Sequence, residues 1–83
     1  MTTEFLREKI NVLNNNIQAE AMQQFQSQLM VDVAAKTTGD TQVDQALKAQ
    51  ADNAKAQLLA CTRRLETYRE KLTELNAELN AAA

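Results

Sequence analysis

The strongest constraint on this chain is the near absence of residues that interrupt helices. Its 83 residues contain no proline and a single glycine, Gly39, while 45% of them are hydrophobic and only 4% are aromatic. Proline and glycine are the residues that most strongly disfavour the interior of a helix. A chain without them can stay helical on both sides of Gly39, so the sequence predicts an all-α fold with one turn near its middle.

The segment around Gly39, KTTGDTQVD, contains most of the turn-forming residues. Glycine suits the left-handed residue that commonly follows the end of a helix. Thr41 offers an N-cap hydroxyl for the next helix, with Asp44 three residues later in an arrangement like a capping box. Asp40 is the competing N-cap. The end of one helix and the start of another are therefore expected within a few residues of each other.

These positions divide the chain into two helices with a short connection. We predict helix 1 at about 3–37, a turn at about 38–40 and helix 2 at about 41–80. Because the connection is short, the helices should fold back on each other as an antiparallel two-helix hairpin of the coiled-coil type. A chain of this length forms one small domain at most, so residues 1–83 are assigned to a single helical-hairpin domain.

Helix 2 has an apolar seam with alternating spacings of three and four residues, the a/d pattern of a coiled coil. The first half of helix 1 has a similar seam. The residues predicted to pack between the two helices are Leu6, Ile10, Leu13, Ile17, Leu58, Cys61, Leu65, Tyr68, Leu72 and Leu75. Folding the chain about Gly39 predicts that the numbers of facing positions sum to roughly 78, which places Ile17 opposite Cys61.

The second half of helix 1 departs from this pattern. Continuing its heptad leads to three polar residues, Glu20, Gln24 and Ser27. The apolar residues instead follow a second stripe, Met22, Phe25, Leu29 and Val33, centred about 120° around the helix from the first. Either the seam winds around helix 1, which would pack Phe25 and Leu29 against alanines of helix 2, or the two halves of helix 1 face different neighbours.

The segment from Asn14 to Gln28 has only one charged residue, Glu20, although it lies within a helix. Solvated helix faces usually carry charges, whereas amides can be buried between helices at lower cost when they are hydrogen-bonded. We interpret the segment as a charge-free contact surface, with a solvated face of amides as the alternative. The predicted partner interface consists of Met22, Gln24, Phe25, Gln28, Leu29 and Val33.

No catalytic or metal-binding constellation is predicted. The chain has no histidine, and its one cysteine, Cys61, falls at a seam position where a small buried hydrophobic residue is expected. Four glutamates at intervals of four residues are interpreted as a solvated or salt-bridged face of helix 2: Glu66, Glu70, Glu74 and Glu78. Phosphate-binding loops and EF-hand patterns are also missing. We therefore expect a protein that is not an enzyme and binds no cofactor or metal.

Charge and hydropathy argue against nucleic acid and membranes as partners. The formal net charge is −2, and glutamates are interleaved with the basic residues of helix 2, which leaves no basic footprint for phosphates. The N-terminal sequence MTTEFLREK has charges where a signal peptide needs an apolar run. No stretch reaches the ~20 apolar residues that span a bilayer. A location in the cytoplasm or within an assembled particle is expected.

A lone hairpin would leave much of its apolar surface in water, which favours packing into a multi-helix bundle or a larger assembly. The first hypothesis is a structural subunit that self-associates through the Met22–Val33 stripe and the alanine-rich part of helix 2. The second is a regulatory adaptor hairpin that binds one specific protein. The third is a hairpin dimer that binds nucleic acid.

In size and architecture the predicted hairpin is similar to type III secretion needle subunits and to the WXG100 secreted proteins. Its turn reads TTGD, in place of the Trp-x-Gly of the second family and the proline-bearing turn of the first. The resemblance therefore covers architecture alone. A component of a virion or of a secretion apparatus is one form that the expected assembly could take.

Overall fold

The computed structural model describes residues 2–82 and consists of two long helices packed side by side. Helix α1 spans Thr3–Val33 and helix α2 spans Thr41–Ala82, with no strand in the described part of the chain. The molecule measures 62 × 15 × 14 Å, and its longest dimension matches the length of α2 at about 1.5 Å per residue. The predicted all-α helical hairpin is confirmed. Met1 and Ala83, the ends of the predicted domain, lie outside the described residues.

Helix α1 begins as predicted but ends four residues earlier than the predicted position 37. Thr2 is its N-cap, and the Thr2 hydroxyl accepts a hydrogen bond from the Phe5 N–H at 3.2 Å. At the other end, the last turn of α1 contains no basic residue to complement the helix dipole. After the helix ends, the connection is bound to the start of α2, where the Thr38 N–H donates to the Asp44 carboxylate at 2.8 Å.

Gly39 and Asp40 are the last two residues of the connection to α2. Gly39 has a φ of 91°, the left-handed conformation expected for it. The Asp40 carboxylate accepts hydrogen bonds from the N–H groups of Gln42 at 3.0 Å and Val43 at 3.2 Å. Asp40 is therefore the N-cap of α2 and the assignment of that role to Thr41 is wrong. A carboxylate at this position also interacts favourably with the positive end of the helix dipole.

The core is one narrow seam between the helices. Its fully buried apolar residues are Leu6, Ala51, Ala54, Cys61 and Leu65. The remaining residues assigned to the seam are half-buried: Ile10, Leu13, Ile17, Leu58, Tyr68, Leu72 and Leu75. A two-helix hairpin has only one interface, so most seam side chains keep one edge in water. This small core makes each buried side chain important for stability.

The seam follows the straight heptad of α1 through its polar residues. Ser27 is buried with 3% exposure, whereas Phe25 and Leu29 are 59% and 46% exposed. Of the two alternatives for this half of α1, the winding seam that would pack Phe25 and Leu29 against alanines is not formed, because Ser27 holds the position facing α2. The side-chain bonds between the helices join Gln23 to Gln57, Glu20 to Arg64 and Gln24 to Thr62. The numbers of all three pairs sum to more than the predicted value of roughly 78, so each position of α1 faces a later residue of α2 than predicted.

Candidate functional site

A polar layer lies in the seam near the middle of the hairpin. The Nε of Arg64 donates to the Glu20 carboxylate at 2.7 Å across the helices, and Nη2 of the same guanidinium lies 3.5 Å from the Cys61 sulfur. The Glu20 side chain is 19% exposed and the Arg64 side chain 46%. Glu20, the only charge in the Asn14–Gln28 segment, is thus turned inward and paired.

The ionisation of these three groups follows from their contacts. The hydrogen bond from Arg64, and after it the contact with Cys61, lowers the pKa of Glu20 below 4.5. Burial, followed by the nearby Glu20 carboxylate, raises the pKa of the Cys61 thiol. The hydrogen bond to Glu20 raises the pKa of Arg64. Glu20 and Arg64 are therefore held as an ion pair, and the thiol is held in its protonated, weakly nucleophilic form.

Two amides of the Asn14–Gln28 segment also bridge the helices. Nε2 of Gln23 donates to the Gln57 side chain at 3.2 Å, and Nε2 of Gln24 donates to the Thr62 hydroxyl at 3.3 Å. The Thr62 hydroxyl in turn donates to the carbonyl of Leu58 at 2.9 Å. Gln24 was assigned to the partner interface from the sequence, and the structure places it against α2 of its own chain.

Ser27 completes this polar part of the seam in a different way. Its hydroxyl is buried and has no hydrogen-bond partner among the described residues, as is also true of the second carboxylate oxygen of Glu20. An unpaired buried hydroxyl costs about 1–3 kcal/mol relative to a paired one. The α1 side of the seam is therefore less stabilising near the connection than near the N-terminus, where Leu6 is buried.

The face of α1 that points away from α2 carries large apolar side chains. We call Met22, Phe25, Leu29 and Val33 the outer stripe. These residues are 58%, 59%, 46% and 53% exposed, respectively. With Gln24 and Ser27 at the a and d positions of the seam, the four residues occupy positions b, c and f, which are normally polar in a coiled coil. The packing of the hairpin does not explain why all four positions of this stripe carry large apolar side chains.

Of the other residues assigned to the partner interface, Gln28 is exposed. Its side-chain amide donates to the Asp32 carboxylate one turn later, at 2.9 Å. Gln28 thus lies beside the outer stripe, while Gln24 lies in the seam. The predicted set is therefore divided between two faces of α1.

The basic residues and the glutamates of α2 lie on its exposed surface. Lys71 pairs with Glu74 at 3.2 Å and Arg63 approaches Glu66 at 3.9 Å, both within α2 and both at the exposed surface. Lys9 lies 4.9 Å from the centroid of the Phe5 ring. Exposed pairs of this kind contribute little to stability. The glutamate face is a solvated surface with partly neutralised charge.

Sequence reasoning missed the contact between Glu20 and Arg64. The pattern that could have revealed it is the isolation of Glu20 in a neutral segment and on the heptad line of the seam, where an unpaired charge would be costly. Among residues 2–82, no group of three acidic or sulfur-bearing side chains is arranged to hold a metal ion. Neither described helix is long and apolar enough to cross a membrane.

Comparisons of this chain with known proteins found no match. The chain matches no protein-family model, and no curated protein or solved structure is significantly similar to it.

Proposed function

We propose that this protein is a non-catalytic structural subunit whose hairpins assemble through helix–helix contacts. The observation that carries the proposal is the outer stripe of α1, in which four large apolar side chains remain about half exposed. Contiguous exposed apolar surface on a small protein marks an interaction site. Residues 2–82 form no second layer that covers this face, and we take the covering element to be a second copy of the hairpin.

The surroundings of the outer stripe favour another helix as its occupant. No charged residue lies between Ala21 and Val31. Of the two flanking charges, Glu20 is paired with Arg64 in the seam and Asp32 accepts a hydrogen bond from Gln28. A helix packed on the stripe would therefore leave few charges buried without partners. The neighbouring side chains are amides, which tolerate burial when they find hydrogen-bond partners.

The exposed area also sets the strength of the contact. Full burial of a large apolar side chain contributes about 1.5–3 kcal/mol, so the exposed halves of four such residues supply roughly 4 kcal/mol. Association itself costs at least about 4 kcal/mol. The opposite surface must therefore contribute apolar area as well, and we expect a weak contact whose occupancy depends on the concentration of the chain.

Two matched substitutions test the proposal. Phe25 and Phe5 are the two phenylalanines of the chain, both on α1, and they are 59% and 47% exposed. At tens of micromolar, Phe25→Ser should reduce the sedimentation coefficient to that of a monomer while keeping the helical circular dichroism signal. Phe5→Ser should leave the assembly intact. Assembly that survives Phe25→Ser would show that the outer stripe is not the contact.

A further inference from the structure

The outer stripe has a counterpart on α2. Small residues recur there at spacings of three and four, on the face that points away from α1. We call Ala46, Ala49, Asn53, Ala56 and Ala60 the alanine stripe. All of these residues are exposed except Ala60, which is half-buried. No charged residue belongs to either stripe.

The two stripes lie at the same height along the hairpin, on opposite sides. Phe25 borders one surface groove together with Leu58 and Thr62, which places it level with Ala56 and Ala60. Leu29 borders another groove together with Asn53. Phe25 and Leu29 are therefore level with small residues of α2, although the two stripes lie on the outward faces of different helices.

We propose that the outer stripe of one copy packs on the alanine stripe of the next copy, so that hairpins stack side by side in an open-ended array. The inference rests on the proposed function and specifies its geometry. When two hairpins point the same way, α1 of one and α2 of the next run antiparallel, as α1 and α2 do within the chain. Matching heights then bring Phe25 towards Ala56 without a shift along the axis.

The shapes of the two surfaces favour this pairing over a symmetric one. Bulky side chains pack well into the spaces that small residues leave on a facing helix, because alternating sizes allow the layers to interdigitate. A symmetric dimer through two outer stripes would oppose bulky residues to bulky residues and would leave the alanine stripe in water. A contact between two different surfaces that face in opposite directions leaves one of each free at the ends, so the assembly can continue to grow.

A mixing experiment tests the arrangement. Phe25→Ser damages only the outer stripe, and Ala56→Glu damages only the alanine stripe by placing a charge at its centre. Each variant alone should sediment as a monomer. An equal mixture should form a dimer of one copy of each, because the intact alanine stripe of the first variant accepts the intact outer stripe of the second. That dimer should not grow further.

The chain offers a matched control for the glutamate. Ala77 occupies the same heptad position as Ala56 three heptads further along α2 and is also exposed, so Ala77→Glu should assemble like the wild type. If Ala56→Glu loses its helical circular dichroism signal, Ala49→Glu replaces it in the same mixing experiment, since Ala49 is an exposed member of the same stripe.

Four results would overturn the inference. Wild-type assembly of Ala56→Glu, or of its substitute Ala49→Glu, would mean that the alanine stripe is not used. A mixture that stays monomeric would mean that the two stripes do not bind each other. A wild-type chain that stops at a closed dimer would contradict open-ended growth and would leave the proposed structural role standing. A monomeric wild type would contradict the proposed function and, with it, the array.

Discussion

The Nε of Arg64 lies 2.7 Å from the Glu20 carboxylate, and this contact joins two residues that are 44 positions apart in the sequence. Within residues 2–82 it is the one ion pair that links α1 to α2, since the other two lie within α2. The pair occupies the point where the apolar seam of α1 gives way to polar residues. It therefore neutralises the charge that the heptad places at the interface.

The pair makes stability depend on pH in the acidic range. The pKa of Glu20 is lowered from 4.5, so at acidic pH the unfolded chain binds more protons at this site than the folded chain does. The stability that the carboxylate contributes is present above pH 4.5 and is lost as the pH falls through its folded-state pKa. We expect the stability advantage of the wild type over Glu20→Gln to shrink as the pH falls below 4.5.

Thermal unfolding followed by circular dichroism across this pH range measures the effect. The control is Glu74→Gln, because Glu74 pairs with Lys71 at the exposed surface of α2. The difference between the wild type and this control should stay nearly constant. A difference between the wild type and Glu20→Gln that is equally independent of pH would contradict the role given to the pair.

Two leucines of α2 should differ widely in their contribution to stability. Leu65 is 2% exposed in the seam, whereas Leu59 is 75% exposed. Leu65→Ala should lower the free energy of unfolding by about 2–5 kcal/mol because it leaves a cavity, and Leu59→Ala should change it by no more than about 0.5 kcal/mol. Urea unfolding at low protein concentration measures both, and equal losses would show that the seam is not the core.

Replacement of Ser27 should stabilise the hairpin. Its hydroxyl is buried without a partner, so Ser27→Ala should raise the free energy of unfolding by about 1 kcal/mol or more. Part of the gain comes from the higher helix propensity of alanine. Thr67→Ala, at an exposed position of α2, is the comparison for propensity alone and should gain less. A loss of stability in Ser27→Ala would mean that the hydroxyl is hydrogen-bonded in the folded protein.

Cys61 should react slowly with thiol reagents in the folded protein. The side chain has 0% exposure, and burial raises the pKa of the thiol, so both access and thiolate fraction are reduced. Its modification by a disulfide reagent should follow unfolding as urea is added. Leu59→Cys in a Cys61→Ala background supplies an exposed thiol two residues away and should react at once in the folded state. Equally fast reaction of Cys61 would place it at the surface.

Much of the architecture follows from local sequence. The absence of proline and the single Gly39 predict two helices and one turn. The heptads predict the seam, and the short connection predicts that the helices are antiparallel. The predicted end of α1 is four residues too late. The connection depends on the contact between Thr38 and Asp44, which joins residues six apart and leaves no periodic pattern in the sequence. Local propensity cannot weigh such contacts.

The second half of α1 was harder to predict because two rules conflicted. Hydrophobicity alone would place Phe25 and Leu29 in the seam, whereas heptad continuity would place Gln24 and Ser27 there. Continuity prevails because a straight two-helix coiled coil keeps one face towards its partner, and because Glu20 and Gln24 find partners on α2. The Asn14–Gln28 segment is thus divided, with its seam amides bound to α2 and its outer face carrying Met22 and Phe25.

Sedimentation equilibrium of the wild-type chain tests the proposed role most directly. The weight-average mass should rise with concentration through the micromolar range to more than twice the 9.3 kDa of a single chain, because the outer stripe is covered only when another copy packs on it. A mass that stays at 9.3 kDa throughout that range would contradict self-assembly and would favour an adaptor hairpin that meets a different protein.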